Sequence, residues 1–323
     1  MSESKPISLV VIIPALNEAA TIGQVVRDIP RDIPNVGDVS CVVVNDGSTD
    51  NTATVAAEAG AKVVGFGHNR GLGAAFAEGL RTALGLGADV IVNIDADGQF
   101  NPADIPKLVG PIVRGEADMV TASRFADRNL VPEMPWVKKW GNRRVANLVN
   151  KLAEQNLHDV SCGFRAYSRD AALRATLLGG HTYTHEVILE LAFRGMRMSE
   201  FPVEVVGVRK VGTSRVAGNL WKYGWNSLLI ILRAYRDYRP MRVFGGISLL
   251  FLIPAVLCGC FIFLHYLRTG QFSPYIFVGF LAAGLGFVSF ICYITALLAG
   301  MMNRLRILQD EGLFLLRKRE YDR

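Results

Sequence analysis

Two long stretches of this 323-residue chain lack charge altogether. Neither Phe244 to Leu267 nor Tyr275 to Met302 contains an Asp, Glu, Lys or Arg. Each exceeds the roughly 20 residues a helix needs to cross a bilayer. A wholly soluble protein is therefore not expected, and the short linker Arg268 to Pro274 makes the two runs a hairpin. Pro254 falls inside the first run, where a membrane helix tolerates it as a kink. Cysteine is scarce, at five residues, and no pair has metal-ligand spacing. That excludes a disulfide-stapled scaffold and a zinc module, and fits a reducing compartment. Internal repeats and low-complexity segments are also missing. Met1-Ser2-Glu3-Ser4-Lys5 leads straight into a strand pattern, so no signal peptide is expected.

What charge there is has a telling distribution. Lys and Arg outnumber Asp and Glu by 35 to 29, a formal net charge of +6. Arg233, Arg236, Arg239 and Arg242 precede the uncharged runs, and Arg304, Arg306, Arg317, Lys318, Arg319 and Arg323 follow them. The linker holds one cation, Arg268. By the positive-inside rule this is an integral membrane protein with its large N-terminal domain and both termini in the cytoplasm. Cations clustered beside membrane spans point to anionic lipid rather than nucleic acid. Gly218 to Tyr238 mixes Trp221, Tyr223 and Trp225 with Lys222, Arg233 and Arg236, a composition suited to an amphipathic helix in the headgroup layer.

The first half alternates strand and helix patterns. Strands are expected over Ile7 to Ile13, Val39 to Val44, Lys62 to Gly65, Ala88 to Ile94 and Met119 to Ser123. Helices are expected over Glu18 to Asp28, Asp50 to Ala59 and Leu72 to Leu86. This rhythm predicts an α/β domain with a mostly parallel sheet covered on both faces. Such sheets bind ligands at the carboxyl ends of their strands, where Asn17-Glu18, Asp46 and Asp95-Ala96-Asp97 all fall. Further on, Val137 to Leu157 and Glu186 to Arg194 read as helices and Ser199 to Val208 as a strand. The expected domains are 1–215 (the α/β domain), 216–242 (interfacial helix), 243–303 (membrane hairpin) and 304–323 (basic tail).

Asp95-Ala96-Asp97-Gly98-Gln99 carries the chemistry. On a continuing strand residues 95, 97 and 99 would face one side. Two carboxylates that close repel each other and favour a shared cation. Oxygen donors of this kind suit Mg²⁺ or Mn²⁺. The same residue types also suit a plain surface turn.

Several phrases occur together in order: Val11-Ile12-Ile13-Pro14-Ala15-Leu16-Asn17-Glu18, Val44-Asn45-Asp46-Gly47-Ser48-Thr49-Asp50, Asn69-Arg70-Gly71-Leu72-Gly73, Asp95 to Gln99, Ser123-Arg124-Phe125 and Ser161-Cys162-Gly163-Phe164-Arg165-Ala166-Tyr167. From about Ile7 to Arg215 the chain resembles the family-two glycosyltransferases of GT-A fold. More narrowly, it is similar to the dolichyl-phosphate mannose synthase and polyprenyl-phosphate glycosyltransferase group. The resemblance implies inverting transfer of a hexosyl group from a nucleotide-diphosphate sugar to a polyprenyl phosphate, with Mg²⁺ or Mn²⁺. GDP-mannose, UDP-glucose and UDP-N-acetylglucosamine all fit as donors. It implies a nucleotide site at Pro14, Leu16, Glu18, Val44 and Asp46, with Asp95 and the backbone of Ala96. Asp95, Asp97 and Gln99 match the metal motif. Asn45 stands where the family usually has a first aspartate.

A phosphate acceptor is already ionised near neutral pH, so it needs positioning rather than a base, and arginine forks suit that task. By the same resemblance Arg124, Lys138 and Asn142 contact the acceptor phosphate, although the family more often has arginine at the position of Lys138. Arg209 and Arg215 match a mobile basic loop over the donor diphosphate. Asp97, Arg124 and Arg209 would carry the catalytic burden. Asp159 and Arg165 flank the Ser-Cys-Gly-Phe turn, either near the sugar or as an internal ion pair. His185 reads as a base or as a satisfied, buried histidine. Self-association is an open expectation. Two other readings share these residues: transfer to a lipid or glycan hydroxyl, and a non-catalytic membrane-anchored binder of nucleotide sugars.

Overall fold

A computed structural model of the chain describes residues 6–132, 134, 136–175, 183–205, 228–229, 232–233 and 235–321. The chain forms two compact units, one of Met1–Ile231 with Phe314–Arg323 and the other of Leu232–Leu313. These limits differ from the expected domain limits chiefly at the C-terminus, where the last turns of the final helix belong to the first unit.

The first unit is built on a seven-stranded sheet. Its strands are β1 (Ile7–Ala15), β2 (Val36–Asp46), β3 (Lys62–Phe66), β4 (Val90–Asn93), β5 (Met119–Ser123), β6 (Arg165–Ser168) and β7 (Met198–Pro202), in the spatial order β3-β2-β1-β4-β6-β5-β7. Strands β1 to β4 pair in parallel, as do β5 and β7. Strand β6 runs antiparallel between β4 and β5. Among the described residues, helices α1 (Ile22–Arg27), α2 (Thr52–Glu58), α3 (Leu72–Gly85), α4 (Ile105–Val113), α5 (Trp136–Ala153), α6 (Arg169–Arg174) and α7 (Tyr183–Phe193) accompany the sheet.

Continuous apolar runs specify buried parallel strands because both faces are covered. In β1, Leu9, Val11 and Ile13 join one core with Ile22 and Val26 of α1 and Ile105 and Leu108 of α4. Val10 and Ile12 point to the other face and are equally buried, as are Phe76 and Leu80 of α3. Full burial of each such side chain is worth roughly 1.5–3 kcal/mol.

Several expected limits shift for identifiable reasons. Helix α1 begins at Ile22 rather than Glu18, because the amides of Glu18 and Ala19 are taken by Thr52 Oγ1 (2.8 Å) and Asp50 Oδ2 (3.2 Å). Helix α5 stops at Ala153, four residues before Leu157. There Glu154 takes a positive φ, and the Asn150 side chain bonds both the carbonyl and the amide of Leu157. Strand β7 ends at Pro202, with an isolated bridge from Val205 to Phe100. Residues 206–208, and most of the expected helix over 218–238 with Trp221, Tyr223 and Trp225, lie outside the described residues.

The second unit contains helix α8 (Pro240–Thr269) and most of helix α9 (Ile276–Tyr321). Both are long and apolar enough to cross a membrane, and only 11% and 6% of their most apolar windows are buried. A soluble core helix would bury such a surface. Ser248 and Ser289 exchange hydrogen bonds across the pair, each hydroxyl donating to the other residue's carbonyl at 2.9 Å. This satisfies polar groups that lipid cannot.

Candidate active site

The carboxyl ends of β1, β2, β4 and β5 deliver four loops to one edge of the sheet. Antiparallel β6 adds a fifth, because its start, not its end, lies on that edge. The loop Asp159–Phe164 is thereby set beside Arg124.

The β1 and β2 loops are tied together through their side chains. The Asn17 amide donates to Ser48 Oγ (3.0 Å), and Asn17 Oδ1 accepts from the Thr49 amide (2.8 Å). Asn45 Oδ1 accepts from the Ser48 amide (3.0 Å), a local turn-capping role that asparagine fills as well as aspartate. Thr52 Oγ1 donates to Asp50 Oδ1. Burial opposes ionisation of Asp50, but its bonds from Thr52 and Ala19 outweigh that and lower its pKa.

Asp46 is buried, and its carboxylate accepts the amides of Arg70 (2.7 Å) and Gly71 (3.0 Å). The glycine turn at Asn69 to Gly73 thus spends two of its amides on a protein carboxylate. Gly47 has φ +75°, and a Cβ there would sit 2.4 Å from the backbone of His68. Pro14 and Val44 are register partners in β1 and β2, both buried. Leu16 and Glu18 are half-buried at the same edge.

Strand β4 ends at Asn93, so Asp95 to Gln99 form a turn instead of a continuing strand. The alternation expected of residues 95, 97 and 99 does not apply, because the backbone turns at Gly98 with φ +69°. The turn is fixed by other means. Thr21 Oγ1 donates to the Ala96 carbonyl (2.7 Å), and Asp97 Oδ1 accepts the Gln99 amide (3.1 Å). Asp97 is 8% exposed. Asp95 and Gln99 line a small cavity of about 110 Å³ together with Arg124, Ser161 and Gly163. Among the described residues, no three His, Cys, Asp or Glu side chains form a ready metal cluster. An oxygen set here would comprise two carboxylates and the Gln99 amide.

Arg124 follows β5 and is gripped on one side. Its Nε donates to Asp159 Oδ2 (2.6 Å), and its Nη2 donates to Asp159 Oδ1 (3.0 Å) and Ser161 Oγ (2.7 Å). Burial works against the Arg124 charge, but Asp159 outweighs it and raises the arginine pKa further, with a smaller contribution from Asp95. Asp159 shows the converse. Burial would raise its pKa, and Arg124 with Ser161 holds it below the ordinary value. An Asp159–Arg165 ion pair is therefore not formed. Arg165 is fully buried and donates to the carbonyls of Thr184 (2.7 Å) and Val160 (2.9 Å).

His185 is 1% exposed. Burial, then the nearby Arg165, lowers its pKa to about 4, so it is a neutral, buried histidine. Burial, then the Asp159 charge, pushes the Cys162 thiol up to about 12, which rules it out as a thiolate nucleophile near neutral pH. Asn142 is half-buried on α5. Lys138 lies on the same helix with its side chain outside the described residues, as are Arg209 and Arg215 entirely.

Sequence reasoning missed the grip of Asp159 and Ser161 on Arg124, contacts across 35 and 37 residues with no local signature. It also missed Thr21, whose role depends on a neighbour 75 positions away.

Comparison with known proteins adds to this geometry. The family model described as Glycosyl transferase family 2 matches residues 10–174. A relative from Methanococcus voltae, named UDP-N-acetylglucosamine--dolichyl-phosphate N-acetylglucosaminyltransferase, is 32% identical over 177 residues, covering 50% of this chain and 69% of its own. The polyprenol monophosphomannose synthase of Mycolicibacterium smegmatis is 29% identical over 220 residues, covering 65% and 81%. Among solved structures, glucosyl-3-phosphoglycerate synthase from Mycobacterium tuberculosis, with Mn²⁺, UDP-glucose and phosphoglyceric acid, matches with a TM-score of 0.56. It is 23% identical and the match covers 71% of this chain and 79% of that one, a likeness of fold.

Proposed function

This chain belongs to glycosyl transferase family 2 and is an enzyme related to the polyprenol-phosphate sugar transferases; from that premise we propose that it transfers a hexosyl group from a nucleotide-diphosphate sugar to a polyprenyl phosphate. The reading rests on one observation. A carboxylate and an amide, Asp95 and Gln99, share a small cavity with a guanidinium whose other side is already clamped. One wall suits a cation and the other an anion.

Asp95, Asp97 and Gln99 would hold the divalent ion, since all three offer oxygen donors around one turn. Bound there, a divalent ion supplies neutralisation of the departing diphosphate. Arg124, held rigid by Asp159 and Ser161, presents its free edge to the acceptor phosphate, with Lys138 and Asn142 on the neighbouring helix. The phosphate oxygen attacks the anomeric carbon as the bond from that carbon to the diphosphate oxygen breaks. No base is needed, because the nucleophile arrives ionised. The β1 and β2 loops, with Pro14, Leu16, Glu18, Val44 and Asp46, form the nucleotide side. Arg209 and Arg215 are assigned to the donor diphosphate. The cations flanking the two apolar helices support a cytoplasmic catalytic unit.

The test is transfer from radiolabelled GDP-mannose, UDP-glucose or UDP-N-acetylglucosamine to polyprenyl phosphate by the full chain in nanodiscs. Asp97→Ala should lower the rate by about 100-fold or more, the scale of losing a charge-stabilising group, with the protein still folded. Full activity after complete chelation would overturn the metal role. Transfer to a hydroxyl lipid but not to the phosphate would overturn the acceptor.

A further inference from the structure

Glu200 lies in β7, at the edge of the sheet, yet its side chain is only 9% exposed. Strand β7 runs parallel to β5, the strand that leads into Arg124, and Glu200 is the register partner of Thr121. A carboxylate this far out of water is costly unless its oxygens are met. One short segment meets them. Oε1 accepts the amides of His158 (2.9 Å) and Asp159 (2.8 Å). The His158 amide also donates to Oε2 (3.0 Å), and His158 Nδ1 lies 2.7 Å from that oxygen. Two successive backbone amides thus converge on one carboxylate, an arrangement that fixes the backbone carrying them.

That backbone is the one that holds Arg124. While its amide is tied to Glu200, the Asp159 carboxylate accepts from the Arg124 amide (3.3 Å), Nε (2.6 Å) and Nη2 (3.0 Å). His158 and Asp159 stand outside any helix or strand, so no ladder of regular hydrogen bonds places them. An aspartate has a single methylene, and its carboxylate therefore follows its backbone closely. Arginine is long and rotamer-rich, so its aim depends on what grips it. The chain of contacts runs from β7 through Glu200 to the Asp159 backbone, and from the Asp159 carboxylate to the guanidinium.

We propose that Glu200 is a positioning residue for the transfer reaction: by clamping the amides of His158 and Asp159 it sets where Asp159 holds Arg124. The inference rests on the reading that Arg124 meets the acceptor phosphate. The donor side of that reading is built on the β1, β2 and β4 loops, so loss of Glu200 reaches acceptor binding and spares donor binding.

The experiment measures KM for polyprenyl phosphate and for the nucleotide sugar on the full chain in nanodiscs, each with the other substrate saturating. Glu200→Ala should raise the acceptor KM about tenfold, short of the roughly 100-fold effect of a full 1 Å misplacement, and leave the donor KM at its wild-type value. Glu200→Gln should recover most of the loss, because one oxygen can take both amides while its NH2 donates to His158 Nδ1 in the tautomer that leaves that nitrogen bare. Glu200→Asp draws the carboxylate back by one methylene; it should show the same split, and it decides the matter should the alanine variant not fold. Arg197→Ala breaks the pair with Asp118 just before the same strand. It should lower the thermal midpoint without moving either KM. An unchanged acceptor KM in Glu200→Ala, equal rises in both KM values, or an acceptor KM raised as much by Arg197→Ala would overturn the inference and leave Glu200 a structural residue of β7. A wild-type chain inactive toward polyprenyl phosphate would instead sink the acceptor reading, and this inference with it.

Discussion

Asp159 divides its two oxygens among Arg124 and Ser161 at 1% exposure, so it has no capacity left for a ligand. Its task is to hold Arg124 charged and aimed. Asp159→Asn keeps the shape but strands a largely buried guanidinium, which costs about 3 kcal/mol. A lower thermal midpoint than wild type in detergent checks this. Ser161→Ala removes one hydrogen bond and should cost only about 1 kcal/mol. The folded Asp159 titrates below its unfolded value. Its stabilisation is therefore present above about pH 3.9 and is lost as the pH falls through the lower folded value.

His185 acts in a separate window. Its folded pKa of about 4 lies below the ordinary 6.5, so between those values the unfolded chain binds more protons. Stability should rise with pH across that window, by up to about 3 kcal/mol. His185→Gln should flatten the slope of thermal midpoint against pH between 4 and 6.5. An unchanged slope would mean that other groups govern it.

At the level of elements, the parallel half of the sheet was legible because apolar runs and turn residues alternate so regularly. Strand β6 was not. Its four residues Arg165–Ser168 include a fully buried arginine, which no strand pattern anticipates. That burial is feasible because the carbonyls of Val160, in the loop just before the strand, and of Thr184, in α7, meet the guanidinium. The acidic turn was legible as chemistry but not as geometry. Its carboxylates were expected to align by strand alternation, whereas a positive-φ glycine and the Thr21 hydroxyl set their positions. Thr21→Val should therefore loosen the Ala96 carbonyl. It should destabilise the protein by about 1 kcal/mol, and raise the divalent-ion concentration needed for half-maximal transfer more than it lowers the rate at saturating ion. Titrating Mn²⁺ against transfer rate separates those two effects.

Over the whole molecule, the sequence marked two membrane-length helices but read the residues after them as a simple basic tail. Local composition supports that reading, since Arg317, Lys318 and Arg319 look solvated. The structure assigns Phe314–Arg323 to the catalytic unit. Phe314 is 7% exposed, with the Arg174 guanidinium 3.8 Å from its ring centre. Arg317 donates to the Leu173 carbonyl (3.1 Å), and Arg169 donates to the Tyr321 carbonyl (2.7 Å). These contacts pin both ends of α6 to the last turns of α9, Leu173 and Arg174 to residues 314–317 and Arg169 to Tyr321. Truncating a buried phenylalanine leaves a cavity and also forfeits the cation–π contact, which together cost about 3 kcal/mol or more. Phe314→Ala should thus lower the thermal midpoint of the catalytic unit and speed proteolysis near residues 169–174. Arg319→Ala, at an exposed neighbouring site, should leave both unchanged. Equal behaviour of the two variants would show that this segment is the plain basic tail its composition describes.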